Sequence, residues 1–152
     1  MEVNDPAVNR LLEILRQFRR SEPHKPTFEG CNPSMIRVLF IIRRGGAEQG
    51  EGLTISEISN LMEVTPPTVT QLIKNLEAEG LVERINDRKD RRVVRVLLTE
   101  QGKNLVQRAQ ANFVQRLKGL TNYLGEEQTE QLTTLLEKAL KYLNQNKNES
   151  EV

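Results

Sequence analysis

Between Leu53 and Leu98 the spacing of apolar residues changes period, and few folds accept such a chain. Ile55, Ile58, Leu61 and Met62 recur at three- and four-residue steps, and so do Val69, Leu72, Ile73 and Leu76. Residues spaced this way fall on one side of an α-helix. Further on the period is two: Val94, Val96 and Leu98 share one face of a strand in VVRVLLT (93–99), after a shorter strand pattern, LVERI (81–85). Two short helices and a hairpin, each apolar on one side only, must bury those sides against one another.

Local signals set the boundaries. Thr54 and Glu57 have capping-box spacing, in which each side chain satisfies a backbone N–H at the helix start. Thr65 before Pro66-Pro67 reads as the N-cap of the second helix, with prolines where no backbone donor is needed. Gly80 suits the residue just past its end. Upstream, Asp5-Pro6 and Asn32-Pro33 each mark a helix start. The first helix has Val8, Leu11, Leu12, Leu15 and Phe18 on one face, and a loop from Ser21 to Cys31 holds Pro23, Pro26 and Gly30. The second is apolar almost all round from Ile36 to Ile42, which implies burial; Arg43-Arg44-Gly45-Gly46 is expected to end it and a Gly-rich connector to follow. Downstream, Thr99 caps a helix striped with Leu105, Ala109, Phe113, Leu117 and Leu120, Gly125 breaks it, and a last helix runs from Glu126 to about Leu143 before a polar tail. The expected fold is mostly α with a small two- to three-stranded β-wing. The expected divisions are N-terminal helices (1–44) for dimerisation and support, a winged helix-turn-helix lobe (45–99), and C-terminal dimerisation helices with a polar tail (100–152).

Two short helices joined by a tight turn and followed at once by a β-hairpin form a winged helix-turn-helix, whose second helix is the candidate reader of a DNA major groove. With its apolar stripe inward, that helix shows Pro67, Gln71, Lys74 and Ala78 outward, flanked by Thr68, Thr70 and Asn75. Gln and Asn can pair with adenine, hydroxyls can donate to phosphate, and a Thr methyl can touch the thymine methyl. Pro67 removes one more first-turn N–H that would hold a phosphate, so the hydroxyls of Thr65, Thr68 and Thr70 are expected to take that role. The chain's net charge is only +1, but residues 86–95 alone carry +3 and residues 126–152 carry −3. The hairpin tip concentrates Arg88, Lys89, Arg91 and Arg92, the candidates for entering a minor groove, where negative potential is strongest. Asp90 would be repelled by phosphate; its expected role is a brace, accepting hydrogen bonds from Arg92 or from a backbone N–H. A solvated helix face and a solvated turn would have similar compositions. The direct succession of the two favours DNA.

The stretch from Leu53 to Gly102 resembles the MarR family of bacterial transcription regulators. The resemblance rests on Asp87-x-x-Asp90-x-Arg92 in the wing and Leu98-Thr99-x-x-Gly102 at the next helix start, behind Gly80-Leu81-Val82-x-Arg84. It implies an obligate homodimer with interlocked N- and C-terminal helices, two winged lobes on a near-palindromic operator, and no catalytic activity. It implies that Arg92 reaches the minor groove while Asp90 braces it. It also implies repression, relieved by a small, often aromatic or phenolic, ligand or by cysteine oxidation. The chain departs from the family pattern in a longer connector at 45–52 and in Arg88, where proline is common.

Rival functions are weighed by residue inventory. The single histidine, His24, sits in a Pro-flanked loop, and no nucleophile set, metal-spaced cluster or phosphate-binding glycine motif is present, so neither an enzyme nor a metal or other cofactor is expected. A winged-helix module for protein contacts, without a specific DNA target, is the alternative. Another is a redox-sensing regulator built on the lone cysteine, Cys31, which lies just before a helix start. One cysteine, no basic-then-apolar leader and no apolar run near the ~20 residues of a membrane span point to a soluble, cytoplasmic protein.

Overall fold

The computed structural model describes residues 5–21, 27–49 and 52–149. Pro23, His24 and Pro26, the connector residues 50–51 and the last three residues of the tail lie outside them. The elements run α1 (Pro6–Ser21), α2 (Pro33–Gln49), β1 (Leu53–Thr54), α3 (Ile55–Met62), α4 (Pro66–Ala78), β2 (Val82–Asn86), β3 (Val94–Leu98) and α5 (Glu100–Glu149). Helices dominate, and three short antiparallel strands form one sheet in the order β1-β3-β2. This is a winged helix-turn-helix. Two compact units emerge, Met1–Gln107 and Arg108–Val152.

In the first unit most expected caps are made. Asp5 Oδ1 accepts from the Ala7 and Val8 amides, and Asn32 Oδ1 from Met35. The Thr54–Glu57 capping box closes in both directions, at 2.7 and 3.2 Å. Helix α4 ends as the sequence implies: Gly80 has φ 69°, its N–H reaches Glu77 O, and the Leu81 N–H reaches Leu76 O. Around Val38, Leu39 and Ile42 of α2 pack Ile58 and Met62 of α3, Val69, Ile73 and Leu76 of α4, Val96 and Leu98 of β3, and Leu105 and Val106 of α5, all buried. Each side chain here removes apolar surface from water at about 25 cal/mol per Å². Ile58 and Met62 of α3 and the stripe of α4 hold the helix pair against α2, while Leu61, expected on the inward side of α3, is 56% exposed, and the outer side of α4 stays in solvent.

Three further expectations change. Helix α2 does not stop at Gly45-Gly46 but continues to Gln49. A Cβ at position 45 would lie 2.7 Å from the Leu53 side chain, so this glycine serves helix–strand packing rather than termination. The sheet has three strands, within the two to three expected, Leu53 of the short β1 pairing with Val96 and Thr54 with Arg95. Val94 does not join Val96 and Leu98 in the core: it is exposed, because the hairpin has by then run past the lobe. The last helix passes Leu143 and reaches Glu149.

The two apolar stripes outside the lobe core stay open to solvent. Every α1 residue whose side chain is described is exposed, including Leu11 at 59% and Phe18 at 68%. In the second unit α5 is interrupted at Gly125 (φ 78°, ψ 171°), the expected break. Phe113, Leu117 and Leu120 before it, and Leu132, Leu135, Leu136, Leu140 and Leu143 after it, are also exposed.

Candidate nucleic-acid interface

Helix α4 presents its outer face as the wheel implies. Thr65, Pro67, Thr68, Gln71, Lys74 and Asn75 are exposed, and Thr70 is half-buried. Backbone geometry makes Thr65 the N-cap, but its side chain caps nothing. Instead Thr65 Oγ1 and Thr68 Oγ1 lie 2.8 Å apart, and Thr70 Oγ1 donates to Pro66 O at 3.0 Å. One proton is therefore committed by Thr70 and one within the Thr65–Thr68 pair. A single hydroxyl proton of that pair is left for a phosphate, not the three that the sequence suggested. Gln71 Nε2 donates to Asn75 Oδ1 at 3.1 Å, which orients both amides on the exposed side of the helix. Glu77, the first acid on this helix, is paired with Arg84 of β2 at 3.4 Å.

The wing loop is ordered by two carboxylates rather than one. Asp90 Oδ1 accepts from the Arg92 amide at 3.0 Å and from Arg92 Nε at 3.2 Å, and Oδ2 accepts from Nη2 at 3.3 Å. Arg92 remains 91% exposed, so this brace holds the guanidinium outside the fold. Asp87, absent from the candidate residues, does more. Its Oδ1 accepts the Lys89 and Asp90 amides at 2.7 and 3.0 Å, and its own N–H donates to Val93 O. Its Oδ2 accepts from Arg95 Nε. An aspartate whose side chain takes the amides two and three residues on is an ordinary turn signal, and it could have been read from Asp87-Arg88-Lys89-Asp90. Arg88, Lys89, Arg91 and Arg92 all project to solvent from the loop so formed.

These contacts fix the charge states. The Arg95 hydrogen bond, aided by the Asp90 and Lys89 amides, holds the Asp87 carboxyl down to about 2. Asp90 is lowered by the Arg92 guanidinium and then by the Arg92 amide. Both are anions at neutral pH, and against their two charges the wing carries Arg88, Lys89, Arg91, Arg92 and Arg95, so the tip keeps a cationic excess.

Cys31 turns away from redox chemistry. It is 1% exposed, its amide and carbonyl pair with Phe28, and its thiol is pushed up by burial and by Glu79 and Glu29. A reactive thiolate needs the opposite setting, exposed and near positive charge. Among the described residues no group of three His, Cys, Asp or Glu side chains could hold a metal, and no helix is long and apolar enough to cross a membrane.

A recognition helix with a neutral-to-basic outer face beside a basic wing defines the class of winged-helix DNA-binding proteins. Comparison with known proteins narrows it. The model of the MarR family matches residues 30–93. The HTH-type transcriptional regulator PrsX of Escherichia coli is 32% identical over 130 residues, 86% of this chain and 78% of that one. The HTH-type transcriptional repressor MdtR of Bacillus subtilis (strain 168) is 36% identical over 74 residues, 49% of this chain and 44% of that one, so the chain spans less than half of MdtR. Among solved structures, a mutant of Staphylococcus aureus MepR superimposes with a TM-score of 0.74 at 28% identity, covering 90% of this chain and 97% of that one. The S. aureus MepR–DNA complex gives 0.61 at 28% identity, covering 88% and 93%. The chain belongs to the MarR family. It is a DNA-binding transcription regulator and not an enzyme.

Proposed function

We propose that the chain acts as a homodimeric repressor that reads a near-palindromic operator. Helix α4 enters the major groove, where Gln71 and Asn75 meet base edges and Lys74 and the Thr65–Thr68 pair meet phosphate. The wing lays Arg88, Lys89, Arg91 and Arg92 along the adjacent minor groove. The observation that carries this reading is the pairing of one exposed recognition face with a loop whose cations all point outward around two internally neutralised aspartates. In MepR, the same fold is seen bound to DNA.

The homodimer is supported by the uncovered leucine stripes of α1 and of α5 on either side of Gly125. Exposed apolar surface on that scale marks an interaction site, and a second copy supplies matching stripes by two-fold symmetry. Two recognition helices would then stand about 34 Å apart, one turn of DNA. Release by a small aromatic or phenolic ligand fits a buried Cys31 better than release by oxidation. The protein would work in the cytoplasm, where its DNA is.

Selection of bound duplexes from a random pool tests the whole reading. Recovery of an inverted repeat with half-sites one helical turn apart is the expected result. Recovery of no preferred sequence, with a shallow salt dependence of binding, would favour a protein-contact module instead.

A further inference from the structure

The Arg95 guanidinium joins three elements. From β3 it donates through Nε to Asp87 in the wing loop and through Nη1 to the Gly52 carbonyl ahead of β1, at 3.2 Å. The same Nη1 lies 3.7 Å from Glu57 Oε2 on α3. Its side chain is 17% exposed, against 91% for Arg92.

Each partner is itself a fixed point. Asp87 holds the Lys89 and Asp90 amides. Glu57 Oε2 also takes the Thr54 amide at 2.7 Å, closing the cap of α3. Gly52 has φ 75°, and a Cβ there would meet Val96 O at 2.6 Å, so its carbonyl is held in place by the sheet. Two hydrogen-bond acceptors on different elements, with the Glu57 carboxylate as an ion-pair partner, match the rigid fork of a guanidinium better than the point charge of an ammonium. The acids paired with Arg95 are Asp87 and Glu57, Asp90 is paired with Arg92, and Arg88 and Lys89 are exposed. Flanked by two acids, Arg95 has no surplus charge to offer a phosphate.

We propose that Arg95 is a positioning residue for operator recognition: it locks the wing loop to the start of α3, so that wing and recognition helix meet DNA as one rigid body without Arg95 touching the duplex. This rests on the DNA-binding reading above.

A double-mutant cycle with Arg95→Gln and Asp87→Asn in the full chain tests it, read by affinity for the selected operator. Amide spectra of Lys89 and Asp90, followed against pH without DNA, give a second readout. Each single variant should weaken binding about tenfold, and the double variant no more than either, a coupling of about tenfold where independent sites would show almost none. Arg95→Lys should behave like Arg95→Gln. The Lys89 and Asp90 amides should report a titration near 2 in the wild type and one moved toward the ordinary value of about 3.9 in Arg95→Gln. If Arg95→Gln does not fold, Arg95→Lys carries both comparisons. Additive losses, with affinity restored by Arg95→Lys, would make Arg95 a direct cationic contact and overturn the proposal. An amide titration unchanged by substitution would show that no clamp exists, even if DNA binding is intact. A wild type that binds no duplex would instead remove the regulatory reading, and the positioning role with it.

Discussion

Replacing Arg92 with alanine separates a DNA contact from a structural role, because the folded lobe loses almost nothing with it. The side chain is 91% exposed and pairs with Asp90 at the surface. Exposed pairs contribute about 0–1 kcal/mol, so thermal unfolding should stay within about 0.5 kcal/mol of wild type. On DNA the effect is of another size. A dimer places two Arg92 side chains on one operator, and each displaces a counterion when it meets a phosphate. Losing both makes the slope of log K against log salt shallower by about 1.8. Between about 50 mM and about 200 mM salt, the ratio of wild-type to variant affinity should then shrink about twelvefold. Fluorescence anisotropy on a labelled operator across that range measures it. Parallel lines for the two proteins would refute the placement of Arg92 on the duplex. A fall in melting temperature of many degrees would show that Arg92 serves the fold instead.

Three further outcomes follow from the geometry. Gly102→Ala puts a Cβ 2.0 Å from the Leu81 carbonyl and should destabilise the lobe by about 2–3 kcal/mol in urea unfolding, since backbone must move to make room. Leu136→Glu, at a position 55% exposed in the single chain, should leave helicity by circular dichroism intact while converting the dimer to monomer in sedimentation at micromolar concentration. Asp87 and Asp90 both have folded-state values below the unfolded ones, so their contribution is present above about pH 4 and lost on acidification, for Asp87 as pH falls toward about 2; order in the wing amides should be flat from about pH 5 to about pH 8 and decline below about 4, and Asp87→Asn should abolish most of that decline.

How much of this could be read from residues alone depended on the distance over which each cause acts. Helices α3 and α4 were legible because their stripes, the Thr54–Glu57 cap and Gly80 are all local. Gly45-Gly46 misled because its reason is tertiary: Leu53 needs the space, and no neighbour in sequence says so. Strand β1 has two residues and exists only by pairing with β3. In the wing the four outward cations were legible from position, and Asp90 does hold Arg92. The partnership of Asp87 with Arg95 and of Arg95 with Gly52 spans eight and 43 residues, and only a folded hairpin beside a folded helix brings those groups together. Thr65 and Thr68 are exposed as expected and Thr70 is half-buried; the Thr65–Thr68 hydrogen bond and the Thr70 bond to Pro66 O could not be inferred from spacing.

Where α4, β2 and α5 come together, Thr99 donates to Gly80 O at 2.6 Å and accepts the Gly102 amide at 3.0 Å, its own N–H reaches Leu81 O, and Gly102 rests against that same carbonyl. Such a joint has no play. A tilt imposed on the first turn of α5 and transmitted through these contacts would swing α4 as a lever. Helix α4 is about 20 Å long at 1.5 Å per residue. A tilt of about 10° swings its far end by about 3.4 Å, one base-pair step along the groove. A rotation of about 10° at this joint would therefore be enough to carry the outer face of α4 one base-pair step out of register.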